Sequence, residues 1–329
     1  MKPEKTRSKS MSKQISAAEA VEFLRAHDKY LILTHAHPDG DTLGSAFALC
    51  SALRSIGKSA NVICPDPNPR KFEYLTVGDD PTFEPETVVS VDVADKKLLG
   101  ALCEQYGDVV QLSIDHHATN TGFAESVFLE GDSAAASECV YNVIKGLNVT
   151  VTPFIADCLY TGMATDTGCF KFSNTTPRTH TFAAELMQAG ADYAEINRVM
   201  FEVKTRGRLE MERQVLDNIE YLCEGQCAII TVTQSMIKET GCDASDIDGI
   251  SSLPRQIEGV KIGITVREKA DGRWKVSLRT YEPYDAAAIC ANFGGGGHKR
   301  AAGCEFGCEV GEVKEQLKSV IVPLLRGEN

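Results

Sequence analysis

The sequence predicts an α/β protein of two domains: an N-terminal domain on a parallel sheet, a helical linker, and a smaller C-terminal α/β domain. Three observations carry that expectation. Up to about residue 190, short apolar runs such as "KYLILT" and "TVVSVDV" alternate with segments of helical period. A charged stretch, "EVKTRGRLEMERQVLDNIE", then interrupts the alternation. From about residue 225, "CAIITVT", "VKIGITVRE" and "RWKVSLRT" follow, with a hairpin-like "KADGR" between the last two. At 329 residues the chain is long enough for two cores. The expected boundaries are a disordered basic tail over 1–14, a first domain over 15–190, a helical linker over 191–224 and a second domain over 225–329.

Taken in order, Ser16 and Glu19 form a capping box that opens a helix ending near residue 27. "KYLILT" reads as a buried strand. The next helix carries Leu43, Phe47, Cys50 and Leu53 on one face, and Gly57 stops it. "ANVIC", "TVVSVDV" and "DVVQLSI" are further strands. "SAAASECVYNVIKGL" and "PFIADCLYTGMATDTG" read as helices packed on the sheet, the second with Pro153 in its first turn. In the second domain, "YDAAAICANF" is a helix, "GGGGH" a glycine run, "AAGCEF" a strand, and a last helix follows.

The formal net charge is -12. An acidic chain repels long polyanions, so a phosphate-bearing ligand should be small or meet local cations. No apolar stretch approaches the roughly 20 residues of a membrane span, and no signal-peptide core is visible. Twelve cysteines are scattered without a disulfide framework, which makes a reducing cytoplasm the expected compartment. Cys223/Cys227 and Cys304/Cys308 have C-x3-C spacing, each half of a zinc site at most; buried thiols are the plainer reading.

In open α/β sheets, ligands sit beyond the carboxyl ends of the strands. Polar groups recur at those ends here. His35, Asp39 and Asp41 follow the first strand, Asp92 ends "VVSVDV", Asp115, His116 and His117 end "VVQLSI", and Asp166 lies late in a helix. Each alone is an ordinary turn or cap residue. Their recurrence at successive strand ends is what solvated turns do not explain. An oxygen and nitrogen donor set without cysteine favours Mn²⁺ or Mg²⁺ over structural zinc. Six ligands with one shared carboxylate suit a metal pair, the arrangement of phosphoryl chemistry.

These residues carry a resemblance. "THAHPDGDTLGS", "VDVAD", "IDHHATN", "MATDTGCFKF" and the distant "FGGGGHKRAAG" resemble the DHH phosphoesterase superfamily with a C-terminal DHHA1 domain. More narrowly, the chain is similar to the bacterial bifunctional nanoRNase/pAp-phosphatase enzymes, over nearly everything after residue 15. The resemblance implies two Mn²⁺ per chain, with Mg²⁺ or Co²⁺ as alternatives. His35, Asp39 and Asp92 would hold one ion. Asp41, Asp92, His116 and Asp166 would hold the other, with Asp92 bridging. His117 would stand beside the scissile phosphate, and Asp115 would orient the histidines. In the second domain, Gly295, Gly296, Gly297 and His298 would bind the phosphate end of the substrate, helped by Arg279.

The implied reaction is two-metal hydrolysis of short RNA, linear dinucleotides and 3′-phosphoadenosine 5′-phosphate (pAp), in a cleft between the domains that measures substrate length. Long duplex DNA and membranes are not implied partners, and a homodimer is allowed. A cyclic di-AMP phosphodiesterase of the same superfamily shares these motifs. A non-catalytic nucleotide-binding regulator would have lost a metal ligand, and none is lost.

Overall fold

The computed structural model describes residues 12–76, 78, 81–247 and 249–327. Two compact units divide between Val203 and Lys204.

In the first unit the elements run β1 (Lys13–Ile15), α1 (Ala17–Ala26), β2 (Tyr30–Leu33), α2 (Gly40–Ser55), β3 (Ala60–Ile63), β4 (Thr87–Val91), α3 (Cys103–Tyr106), β5 (Leu112–Asp115) and β6 (Ser126–Leu129). Helices α4 (Ala136–Gly146), α5 (Pro153–Asp166), α6 (Pro177–Gln188) and α7 (Tyr193–Asn197) complete it. The six strands lie in the order β1-β6-β5-β4-β2-β3, and every pairing is parallel. The strands are short and apolar because both sheet faces are covered. Helices α1, α2, α4, α5 and α6 bury one face around Ile32, Val89 and Ile114. Leu99 and its neighbours close the other face over Leu33 and Val127.

The capping box forms as expected, with Ser16 Oγ accepting from the Glu19 amide and the Glu19 side chain reaching back. The tail needs a correction. Residues 1–11 lie outside the described residues, but Lys13–Ile15, expected to be mostly disordered, form β1. They pair in parallel with β6 and bury Ile15, because the open edge of β6 offers backbone partners that a free tail would lack. Strand β6 was not expected either. Its "SVFL" is too short and too lightly patterned to stand out.

The second unit runs α8 (Arg206–Asp217), β7 (Glu220–Leu222), β8 (Cys227–Val232), α9 (Gln234–Thr240), α10 (Ala244–Ile247), β9 (Ile262–Glu268), β10 (Trp274–Thr280), α11 (Ala286–Ala291), β11 (Gly296–His298), β12 (Ala301–Phe306) and α12 (Val310–Arg326). Its sheet is mixed, in the order β11-β12-β10-β9-β8-β7, with only β8 and β9 parallel. Alternation along β9 and β10 sends Ile264, Val266, Val276 and Leu278 into a core closed by α11 and α12. The opposite residues of those strands are polar. The glycine run is also more ordered than a linker, since Gly296–His298 pair with β12. Gly295 and Gly297 are required there by packing, as side chains at either would overlap the Gly303 and Ala301 carbonyls.

Candidate metal centre

The carboxyl ends of β5, β4 and β2 are neighbours in the first sheet, and the chain moves from β3 on one side to β4 on the other. That reversal is the switch point where α/β sheets hold ligands. His116 and His117 follow β5, Asp92 follows β4, and His35 follows β2. Helix α2 opens on this cluster with Asp39 as its N-cap, accepting from the Asp41 and Thr42 amides. Helix α5 ends on it with Asp166. The two helices approach closely because Gly44 and Gly162 carry no side chains. A Cβ at Gly44 would overlap the Cys158 carbonyl, and one at Gly162 would sit 2.6 Å from Asp41 Oδ1. All six expected ligands therefore meet.

Their geometry is that of two linked groups. His35 Nε2 lies 3.7 Å from Asp39 Oδ1 and 3.5 Å from Asp92 Oδ2. His116 Nε2 lies 3.6 Å from Asp92 Oδ1, 3.7 Å from Asp166 Oδ2 and 3.9 Å from Asp41 Oδ2. Among the described residues, the clusters able to hold a metal are His35–Asp39–Asp92, Asp41–His116–Asp166 and Asp92–His116–His117. Asp92 belongs to two of them, one oxygen facing each histidine. None contains a cysteine, which leaves Cys223, Cys227, Cys304 and Cys308 as free thiols.

Each histidine is oriented by its other nitrogen. His35 Nδ1 donates to the Ala36 carbonyl at 2.9 Å, and His116 Nδ1 to the Ser133 carbonyl at 3.2 Å. A carbonyl can only accept, so Nδ1 carries a proton in both, and Nε2, turned toward the carboxylates, is the nitrogen each ring offers to a metal. Asp41 is held by amides at the start of α4, accepting from Ala136 at 2.6 Å and Ser137 at 3.0 Å. Asp115 accepts from His117 Nδ1 at 2.8 Å and from Asn120 Nδ2 at 2.6 Å. Asn120 escaped the sequence reading, although its place in "IDHHATN" next to the histidines was the available signal. Ser133 left no signal, because a backbone carbonyl does the work.

The electrostatics call for cations. Burial, with Asp41 nearby, raises the Asp92 carboxyl well above the carboxylate range. Burial, then Asp41 and Asp39, pushes Asp166 up to about 8. Burial also pulls His35 down, yet Asp39 and Asp92 outweigh it and hold the imidazole at about 11. The Asp115 carboxylate raises His117 to about 9. Asp92 is 3% exposed, and its Oδ1 has no hydrogen-bond partner. A buried unpaired carboxylate oxygen costs several kcal/mol, roughly, unless something positive meets it. The backbone at Asp92 is itself in the left-handed region (φ 61), a strain that such sites keep for function. The donors and the orphaned oxygen fit hard divalent cations.

The expected substrate groups lie in the second unit. His298 and Arg279 both pair with Ala301, from β11 and β10 respectively. Directly opposed residues share a face, so the two side chains belong to one row across the sheet. Arg279 is half-buried, and burial, then Arg255, lowers its pKa.

The two units match known protein families. The model of the DHH family N-terminal domain matches residues 29–163, and that of the DHHA1 domain matches residues 225–322. The bifunctional oligoribonuclease and PAP phosphatase NrnA of Thermus thermophilus is 32% identical over 88% of this chain and 88% of its own. The chain belongs to the DHH family. By that membership it is a phosphoesterase, from a family of metal-dependent enzymes. The bifunctional oligoribonuclease and PAP phosphatase NrnA of Bacillus subtilis is 24% identical over 88% of this chain and 92% of its own. An exopolyphosphatase-related protein from Bacteroides fragilis has a crystal structure that superposes with a TM-score of 0.85. It is 26% identical and covers 94% of this chain and 97% of that one. Among the described residues, no helix is long and apolar enough to cross a membrane.

Proposed function

We propose that this DHH phosphoesterase hydrolyses short RNA and pAp with two divalent cations, Mn²⁺ foremost. The observation that carries the reading is Asp92, buried and strained, with Oδ2 toward His35 and Oδ1 toward His116. Similarity to proteins named oligoribonuclease and PAP phosphatase supports the substrate class. His35, Asp39 and Asp92 would hold one cation, and Asp41, Asp92, His116 and Asp166 the other. When bound, such a pair supplies Lewis acidity and a water of lowered pKa.

The chain's own residues do the rest. Asp92 keeps the two ligand groups in register. Asp41 stays in place through the α4 amides, and the two backbone carbonyls fix the histidine tautomers. His117 carries a proton at neutral pH, because Asp115 holds Nδ1–H; its Nε2–H is free to donate to a phosphoryl or leaving oxygen. Arg279 and His298, with the backbone of Gly295, Gly296 and Gly297, would bind the phosphate end of the substrate. In this division of labour residues 15–190 carry the chemistry, 225–329 recognise the nucleotide, and 191–224 link them. Twelve free cysteines support a reducing compartment such as the cytoplasm.

The test is a Mn²⁺-supported hydrolysis panel of pAp, RNA di- to pentamers, pApA and cyclic di-AMP. Turnover of pAp and of the RNAs is expected to dominate. Preferential opening of cyclic di-AMP would replace this reading.

A further inference from the structure

One face of β9 and β10 is polar in a way that neither folding nor the phosphate clamp explains. Thr265, Arg267, Lys275, Ser277 and Arg279 line a hollow of about 310 Å³, together with Ile247 and Ile250. Lys275 is paired directly with Arg267 across the antiparallel ladder. Like charges directly opposed destabilise a sheet. Neither cation has a carboxylate partner among the described residues. Glu305, across the other edge of Lys275, engages Lys269 and Arg273 instead.

Thr265 sharpens the point. It is 4% exposed, lines the hollow two residues from Arg267 on the same face, and its Oγ1 has no hydrogen-bond partner. A buried hydroxyl facing a hollow without a partner is one built for a partner that arrives. The charge is local, since the chain as a whole is at -12. The hollow is too large for a lone phosphate, and the partly exposed Ile247 gives it an apolar edge on which a base can rest. Lys275 stands four residues from Arg279 on the same face, about 14 Å by strand rise, so a single phosphate is poorly placed to serve both.

We propose that this hollow is a second nucleotide subsite for short RNA: it takes the nucleotide beyond the one held by Arg279 and His298, with its phosphate between Arg267 and Lys275. The inference rests on the oligoribonucleotide reading above and adds a site to it. pAp, a single nucleotide, engages the clamp and does not extend along the strands. The subsite therefore sets the preference for RNA over pAp.

The full-length double variant Arg267→Gln/Lys275→Gln tests this in two ways. In hydrolysis, the ratio of kcat/KM for an RNA tetramer to that for pAp should fall about 10- to 100-fold, mainly through KM. In EDTA, where no turnover occurs, anisotropy of a 3′-labelled RNA tetramer should show weaker binding. The slope of log affinity against log salt should flatten by about 0.7, the value for one lost phosphate on a single strand. Thr265→Val, which removes the hydroxyl at constant volume, should weaken tetramer binding about 3- to 10-fold without lowering the thermal melt. An unchanged ratio, an unchanged salt slope, or wild-type protein that binds no RNA in EDTA overturns the subsite. Wild-type protein that binds RNA in EDTA with the expected variant losses, yet hydrolyses neither substrate, would instead sink the proposed function and leave the subsite standing.

Discussion

Arg279 and His298 stand on one rung of the second sheet, on either side of Ala301. Two strand spacings separate their backbones, about 10 Å, and both belong to the same face. Long side chains can close that distance on a phosphate between them. The residue between them on that face is Ala301, whose side chain is a single methyl.

That rung predicts a selective loss. His298→Ala or Arg279→Ala should lower kcat/KM for pAp about 10- to 150-fold, the worth of one charge-assisted hydrogen bond of roughly 1.5–3 kcal/mol. Hydrolysis of bis-p-nitrophenyl phosphate, which makes little use of a nucleotide clamp, should change less than about threefold on the same scale. Equal losses on both substrates would move these residues to the chemical step.

Asp92 calls for the opposite pattern. Asn tolerates the left-handed backbone at this position better than most residues, so Asp92→Asn removes charge with little added strain. Turnover of every substrate should drop below a few per cent of wild type. The melt in EDTA should not fall, because a buried, repelled carboxyl has been neutralised. Retention of substantial activity by a folded Asp92→Asn enzyme would rule out the shared-ligand assignment.

Asn120 offers a third test. It fixes Asp115 at 2.6 Å, and Asp115 in turn holds His117. Asn120→Ala should cost about 10- to 100-fold in kcat, the usual effect of removing such an outer partner. Unlike the Arg279 loss, this one should appear on the generic diester as strongly as on pAp. A loss confined to nucleotide substrates would assign Asn120 to recognition.

Metal and pH should be linked through the same cluster. Asp166 is raised to about 8, His117 to about 9 and His35 to about 11, and Asp41 and Asp92 are raised as well. Groups raised on folding contribute stability that is full below their unfolded pKa and lost as pH climbs through the folded one. The carboxyl contributions begin to fade above about pH 4 and that of His117 above about pH 6.5. The melt of chelated protein should therefore fall steadily from pH 6 to 9. Mn²⁺ at a fixed concentration, about 100 times its Kd at pH 6, should restore roughly 2.7 kcal/mol there, several degrees, and more at pH 9, where fewer protons compete for the ligands. A chelated melt that rises over this range would contradict the crowded-carboxylate account.

Much of this protein was written locally. The strand and helix order of the first domain is set by runs of apolar residues and by caps such as Ser16 and Glu19, which act within a few residues of themselves. The ligand types were legible for the same reason: His35, Asp92 and His116 end strands, and the ends of parallel strands face one side. What local pattern could not contain was the choice of partners across the chain. Asp41 is held by amides some 95 residues away, and His116 by the carbonyl of Ser133, an interaction that no side-chain identity encodes. Strand β1 exists only because β6 leaves an edge open. The row from His298 through Arg279 to the Lys275–Arg267 pair depends on strand register, which is decided by packing of the whole sheet. Local sequence sets what each segment prefers to be; only the folded chain brings a cation or a carboxylate to its place, because that place is defined by atoms distant in sequence.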